Sequence, residues 1–161
     1  MPSLKTKKEE FLEVYSRQVD TVYRVCYSFM KNKADTEDLV QETFLKLLST
    51  GKSFENERHE RAWLIVTASN LCKDSLKKLW RKHESIEDFL DLAEEPKQED
   101  SILDVILRLP PDAKDAVYMY YYEGYTTAEI ATHLHCPEAT VRSRLMRARN
   151  KLQSMMGGGA K

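Results

Sequence analysis

Five cations and no acid fall between Ala139 and Lys151 of this 161-residue chain: Arg142, Arg144, Arg147, Arg149 and Lys151. Thr140, Ser143 and Met146 lie among them, while Val141, Leu145, Ala148 and Leu152 recur at steps of four, three and four. That spacing gives a helix one apolar stripe to bury and leaves a basic surface outside. The chemistry on offer is recognition of a polyanion: Arg pairs bidentately with guanine edges, and Ser or Thr donates to phosphate or base. A plain helical hairpin with a solvated basic face would carry the same residues. The preceding segment separates the two readings. Thr126 and Glu129 form a capping box, Ala128, Ile130, Ala131 and Leu134 supply small and apolar positions, and His135-Cys136-Pro137 makes a turn before the last helix. Cap, turn, buried stripe and acid-free face together predict a DNA-binding helix-turn-helix.

Other chemistry is poorly served. There is no Gly-rich phosphate loop, no His-Glu pair at helical spacing and no nucleophile motif, so neither enzymatic activity nor a cofactor is expected. His133, His135 and Cys136 are close in sequence, but three ligands inside so short a turn have poor metal geometry and no fourth is obvious. Cys26 and Cys72 fit their helices as small core residues. The cluster Tyr118, Tyr120, Tyr121, Tyr122 and Tyr125 reads as packing. A stand-alone helix-turn-helix repressor or activator would explain residues 126–152 and leave the first half of the chain without a role.

The elements that must hold these residues are helices. The chain has only 5 Gly and 5 Pro, three of the Gly within the last five residues, which argues against a turn-rich β fold. Apolar spacing predicts helices over residues 8–30, about 35–48 and about 60–82, with a polar loop at 49–59 whose one aromatic is Phe54. Expected inward positions are Phe11, Val14, Tyr15, Val19, Val22, Val25, Cys26 and Phe29 on the first helix. Leu39, Val40, Thr43, Phe44, Leu47 and Leu48 fill that place on the second, and Trp63, Leu64, Thr67, Leu71 and Leu76 on the third. Asn32 is expected to end the first helix. A short helix runs from Ile102 to Leu109, and another from Asp112 to Glu123 turns Ala116, Val117, Tyr120 and Tyr121 inward and stops at Gly124.

Charge is segregated along this order. Residues 1–83 carry 16 Lys and Arg against 12 Asp and Glu, residues 84–104 carry 1 against 9, and residues 105–161 carry 8 against 5. Two mildly basic lobes therefore flank an acidic strap, a pattern suited to lobes that meet an anion. The fold class is all-α, with two small helical domains at 8–83 and 102–156 joined by an acidic linker at 84–101. No apolar run approaches the roughly 20 residues needed to span a bilayer, so membrane insertion is not expected. The N-terminus lacks a secretory h-region, and three scattered Cys fit free thiols in a reducing cytoplasm.

The string CPEATVRSRLMRARNKL resembles the promoter-reading helix of the extracytoplasmic-function (ECF) sigma factors, of the bacterial sigma-70 family. ADTEDLVQETFLKL resembles that family's polymerase-docking helix, RAWLIVTASNLCKD its promoter-melting helix, and LRLPPDAKDAV the start of its second domain. The resemblance implies a factor that binds core RNA polymerase, at the clamp of the β′ subunit and the flap of the β subunit, and directs initiation at promoter DNA. By this resemblance Asp38, Gln41 and Glu42 grip the clamp. Phe54 and Asn70 surround a base flipped from the −10 element, with Lys73, Lys77 and Arg81 along its backbone. Thr140, Arg142, Ser143, Arg144, Met146 and Arg147 meet the −35 duplex. The acidic strap corresponds to the linker that threads toward the RNA exit channel. An anti-sigma factor is the implied regulator. The chain departs from the family in having Lys114 where Arg is frequent and Ala139 where Gly is frequent. Met146 falls at a variable position, so the −35 sequence does not carry over from relatives.

Overall fold

The computed structural model describes residues 6–82 and 105–156. The acidic linker at 84–101 and the terminal GGGAK lie outside the described residues, as does the start of the helix expected from Ile102. Among the described residues every regular element is helical. Helices α1 (Lys7–Met30), α2 (Lys33–Thr50) and α3 (Glu57–Lys82) form a first bundle. A short helical stretch at 105–107, α4 (Pro111–Val117), α5 (Thr127–Leu134) and α6 (Glu138–Met156) form a second.

Local chemistry explains where the helices begin and end. The Thr6 side chain accepts from Glu9 N and caps α1. The helix stops at Lys31, which is left-handed at φ 63° and donates its N–H to Tyr27 O. Asn32 therefore does not end α1, as its sequence position suggested. It is the N-cap of α2, accepting from Asp35 N, and it starts that helix two residues early. Gly51, at φ 60°, closes α2 in a conformation that an L side chain resists. Asn56 caps α3 by accepting from His59 N at 2.8 Å, so the loop is shorter than expected and α3 begins at Glu57.

The first bundle packs Val22, Val25, Cys26 and Phe29 of α1 against Leu39, Phe44 and Leu47 of α2 and Ala62, Ile65, Ala68, Cys72 and Leu76 of α3. Burying each large apolar side chain is worth roughly 1.5–3 kcal/mol. Small residues on α3 let the helices approach closely, which is why Trp63, Thr67 and Leu71, expected inside, are only half-buried. Tyr15 and Leu48 also turn outward, Leu48 to 55% exposure. A polar clasp ties α1 to α3: Arg17 grips the buried Glu60 with two hydrogen bonds of 2.9 Å, and Gln18 Nε2 donates to Glu60 Oε1 at 2.9 Å.

In the second bundle, α4 runs on into a π-helical turn, Tyr118–Tyr122, where Glu123 N donates to Tyr118 O. One surplus residue per turn shifts the phase of everything after it. Tyr118 and Met119 are buried in consequence, while Tyr120 and Tyr121, expected inside, are 37% and 41% exposed. Gly124, at φ 78°, ends the segment as expected. The two bundles also pack on each other, and one apolar cluster runs from Val22 and Leu64 through Ile106, Tyr118 and Ile130 to Val141 and Leu145.

Candidate nucleic-acid interface

The second bundle presents its basic face as the spacing predicts. Thr126 and Glu129 complete a reciprocal capping box at the start of α5. His135 makes the turn in a left-handed conformation, φ 55°, with its N–H on Ala131 O and Thr132 O. In α6, Val141, Leu145 and Ala148 are buried and Leu152 is half-buried. Arg142, Ser143, Met146 and Arg147 face solvent, Met146 at 61% exposure, with Thr140 and Arg144 half-buried beside them. Arg142 pairs with Glu138 one turn earlier, and Arg149 donates to Tyr121 Oη at 3.0 Å. The face is a set of long cations on a rigid rod, free to enter a major groove.

On α3 a second track runs along one helical side. His59, Trp63, Val66, Asn70, Lys73 and Lys77 follow at steps of four, three, four, three and four. Phe54 abuts its start, 5.7 Å from the Trp63 ring and 6.1 Å from that of His59, and Lys52 Nζ lies 5.8 Å from the Trp63 ring centre. Asn70, Lys77 and Arg81 are exposed. Phe54 also walls a hollow of about 570 Å³ shared with Val14, Arg17, Leu47 and Glu60. Asn70 takes no part in that lining. Phe54 thus meets the track at Trp63, seven residues ahead of Asn70 on the same side of α3. Sequence reasoning missed His59 and Trp63 as members of this surface, although the heptad-like spacing that continues to Asn70 and Lys77 contains them.

Lys73 is placed differently from its neighbours: its ammonium meets Asp115 Oδ2 of the second bundle at 2.6 Å. Two further ion pairs cross between the bundles, Arg58 with Glu129 at 2.8 Å and Arg61 with Glu123 at 3.7 Å. Arg58 also lies 4.2 Å from the Tyr125 ring centre, and Tyr125 Oη donates to Arg58 O at 2.8 Å. The Arg58 guanidinium and the Thr126 backbone hold the Glu129 carboxyl down at about 2. Burial pushes the Tyr125 phenol up to about 12. His133 stands 5.1 Å from His59, ring to ring, and burial, then the nearby His59, keep its imidazole below the usual 6.5. At the centre of the seam Lys114 Nζ donates to Ser28 O at 2.5 Å and to Ile106 O and Leu107 O at 2.9 Å each. Burial, with Lys31 nearby, pushes this ammonium well down. None of these partners was found from sequence: the pairs between the bundles lie tens of residues apart, and Ile106 and Leu107, though only eight and seven residues from Lys114, are met through backbone carbonyls that no side-chain pattern marks. One signal was available: Lys114 and Asp115 interrupt an otherwise apolar run, Ala113 to Met119.

On the outer side of the first bundle Asp38, Gln41 and Glu42 are all exposed on one face of α2, as predicted. Leu45, 56% exposed, extends that face with apolar surface. Cys26 and Cys72 are fully buried, and the Cys72 thiol is raised by its hydrogen bond with Cys26 and by burial, so both behave as core residues.

Comparison with known proteins matches this arrangement to a family. Residues 14–82 match the family model for Sigma-70 region 2, and residues 99–152 that for Sigma-70, region 4. The ECF RNA polymerase sigma-E factor of Haemophilus influenzae is 32% identical over 149 residues, covering 78% of each chain. The chain belongs to the ECF sigma factors. Another relative of this sigma factor is the ECF RNA polymerase sigma factor SigE of Mycolicibacterium smegmatis, 32% identical over 89% of the chain. The present chain spans 60% of that relative's length. In fold, the sigma factor resembles the sigma factor RpoE of Bartonella quintana, solved in complex with the anti-sigma factor NepR. The TM-score is 0.70 at 24% identity, over 92% of this chain and 97% of that one. No helix among the described residues is long and apolar enough to cross a membrane.

Proposed function

We propose that this chain binds core RNA polymerase and directs promoter-specific transcription initiation, without enzymatic activity of its own. The observation that carries the proposal is the pairing, in one chain, of a capped helix-turn-helix whose outer face is cationic with a second track of aromatic, amide and lysine side chains on α3. Residues 8–83 serve as the unit for polymerase docking and −10 melting, residues 102–156 as the −35 unit, and residues 84–101 as the linker. Asp38, Gln41 and Glu42 dock on the clamp of the β′ subunit, and the second unit meets the flap of the β subunit. Phe54 and Asn70 flank the base extruded from the −10 element, an event that needs an aromatic wall and a polar group for the base edge. Lys73, Lys77 and Arg81 follow the backbone. Thr140, Arg142, Ser143, Arg144, Met146 and Arg147 meet the −35 duplex, with Arg142 and Arg147 suited to guanine edges. The protein acts in the cytoplasm, and an anti-sigma factor is its expected regulator, the class of partner seen on the Bartonella quintana protein.

Physical scale favours a factor that works on a larger machine. One such module buries only roughly 600–1,000 Å² on DNA, and non-specific binding at physiological salt is weak, on the order of 10⁻⁴–10⁻⁶ M. Two modules fixed on one carrier gain through effective concentration. Run-off transcription with purified core enzyme on a random promoter library tests the proposal. Addition of the chain should start transcripts from a restricted promoter set, and Asp38→Lys with Glu42→Lys should abolish both transcripts and co-purification with core. Transcription unaffected by the chain would refute the reading. Tight, specific duplex binding by the free protein would favour a stand-alone regulator instead.

A further inference from the structure

The outer face of α6 is bordered on one flank by two arginines whose surroundings differ. Arg142 and Arg149 lie seven residues apart, close to two full turns, and so share that flank. Arg142 is taken by the Glu138 carboxylate. Among the described residues no acid pairs with Arg149, and its guanidinium donates to Tyr121 Oη at 3.0 Å instead. Tyr121 comes from the π turn that follows α4, and that turn leaves both Tyr120 and Tyr121 exposed. The Tyr120 ring stands edge-on to that of Tyr121, 4.9 Å between centres at 81°, and supports it. Both partners in the Arg149–Tyr121 bond keep unused donors. A guanidinium has several N–H groups, and a phenol oxygen that accepts still has its own proton to give. A full positive charge beside a neutral O–H, both on the surface, is a combination suited to one phosphate group.

Position along the helix says where that phosphate belongs. A recognition helix sets its N-terminal residues on base edges. With Arg142 at the floor of the groove, Arg149 stands about 10 Å further along the axis. The major groove is ~8.5 Å deep, so a cation at that distance reaches the rim, level with the sugar-phosphate backbone, as α6 leaves the groove. We propose that Arg149 and Tyr121 form a phosphate anchor for the duplex backbone beside the −35 element: the guanidinium and the phenol O–H donate to the same phosphate, and the contact fixes how deeply α6 lies. The inference rests on the reading of α6 as the −35 helix. It adds two contact residues, one of them from a different element. Arg149 supplies the charge. Tyr121 also positions Arg149, holding a long side chain in one direction before DNA arrives and so reducing the entropy lost on binding. A phosphate contact carries no sequence information of its own. The anchor therefore adds affinity on every promoter and keeps Arg142 in register with its base pair.

The experiment uses holoenzyme assembled from the full chain and core polymerase. Its DNA is a set of promoter duplexes in which the phosphates bordering the −35 element are replaced, one at a time, by uncharged methylphosphonates. At one phosphate the replacement should weaken the parent holoenzyme about fivefold and the Arg149→Ala holoenzyme hardly at all, because the partner is already gone. On unmodified DNA Arg149→Ala should weaken binding about fivefold on every −35 sequence and lower the salt slope by about one. Tyr121→Phe keeps the ring and its packing on Tyr120 and removes only the hydroxyl. It should cost about threefold and shrink the penalty at that same phosphate. Arg149→Lys keeps the charge and should restore the salt slope. Both altered side chains are exposed, and a merely structural effect would not single out one phosphate. The proposal is overturned if no phosphate separates the parent from Arg149→Ala, if Arg149→Ala changes the preferred base at a −35 position, or if Tyr121→Phe matches the parent throughout. Run-off transcription separates the two ideas. Any of those results with a parent holoenzyme that starts transcripts refutes the anchor alone, whereas a parent chain that starts none refutes the sigma-factor reading on which it rests.

Discussion

Lys114 is a buried cation whose partners are the backbone carbonyls of Ser28, Ile106 and Leu107, two of them from the end of a short helical stretch and one from the last turn of α1. Carbonyls at helix ends lack intrahelical donors and carry the negative end of the helix dipole, so one ammonium satisfies several at once. Lys114→Met should destabilise the chain by about 1–3 kcal/mol, because buried acceptors lose their donor, whereas Lys114→Arg keeps a charged donor and should cost less. Urea denaturation of both variants checks this; a Met variant as stable as the parent would show that relief of the buried charge outweighs the lost bonds. Little at this scale could be read in advance. The exposure of Arg142, Ser143 and Met146 follows from helical spacing alone. The engagement of Lys73 by Asp115 does not, because an ion pair between residues 42 positions apart leaves no local pattern.

Helices were the most legible level. Val141, Leu145 and Ala148 mark the buried side of α6 so plainly that its opposite side had to face solvent. The capping box at Thr126 fixes the start of α5 to the residue. Errors arose where side-chain chemistry could serve either neighbour: Asn32 caps the helix after it rather than the one before, and the π turn reverses which tyrosines face inward. The two candidate DNA elements should also fail differently when altered. Arg142→Ala on α6 should cost ~1–3 kcal/mol in holoenzyme binding and relax preference at one base pair of the −35 element. Lys77→Ala on α3 should weaken all promoters alike and lower the salt slope by about one. Competition binding across a −35 library at two salt concentrations distinguishes these outcomes, and equal loss on every sequence for Arg142→Ala would remove its role in base reading.

For the molecule as a whole, sequence supplied two basic halves and an acidic strap but not their embrace, since the seam joins residues far apart and its charges look like ordinary surface. Its pH dependence follows from His133. That ring faces His59 and Arg58 from α3, with Tyr125, Glu129 and His135 around it, and burial first, then His59, lower its folded pKa beneath 6.5. The packed seam therefore favours the neutral ring. Its contribution is complete above about pH 6.5 and is lost as pH falls through the lowered folded value. Glu129, held at about 2, stays charged over that range and keeps its pair with Arg58. Scattering between pH 8 and pH 5 (about the span over which histidine titrates) should show the chain expanding on acidification, and His133→Asn should flatten that response; an unchanged radius in the parent chain would exclude His133 as a contributor. The turn at Tyr118–Tyr122 holds one residue more than an α-helical turn needs. Deleting one of them would rewind the segment as ordinary α-helix through about the same angle, so the elements downstream would keep their direction. The supernumerary amino acid is absorbed within one wide turn, and what it alters is which tyrosines meet solvent rather than where the last helix points.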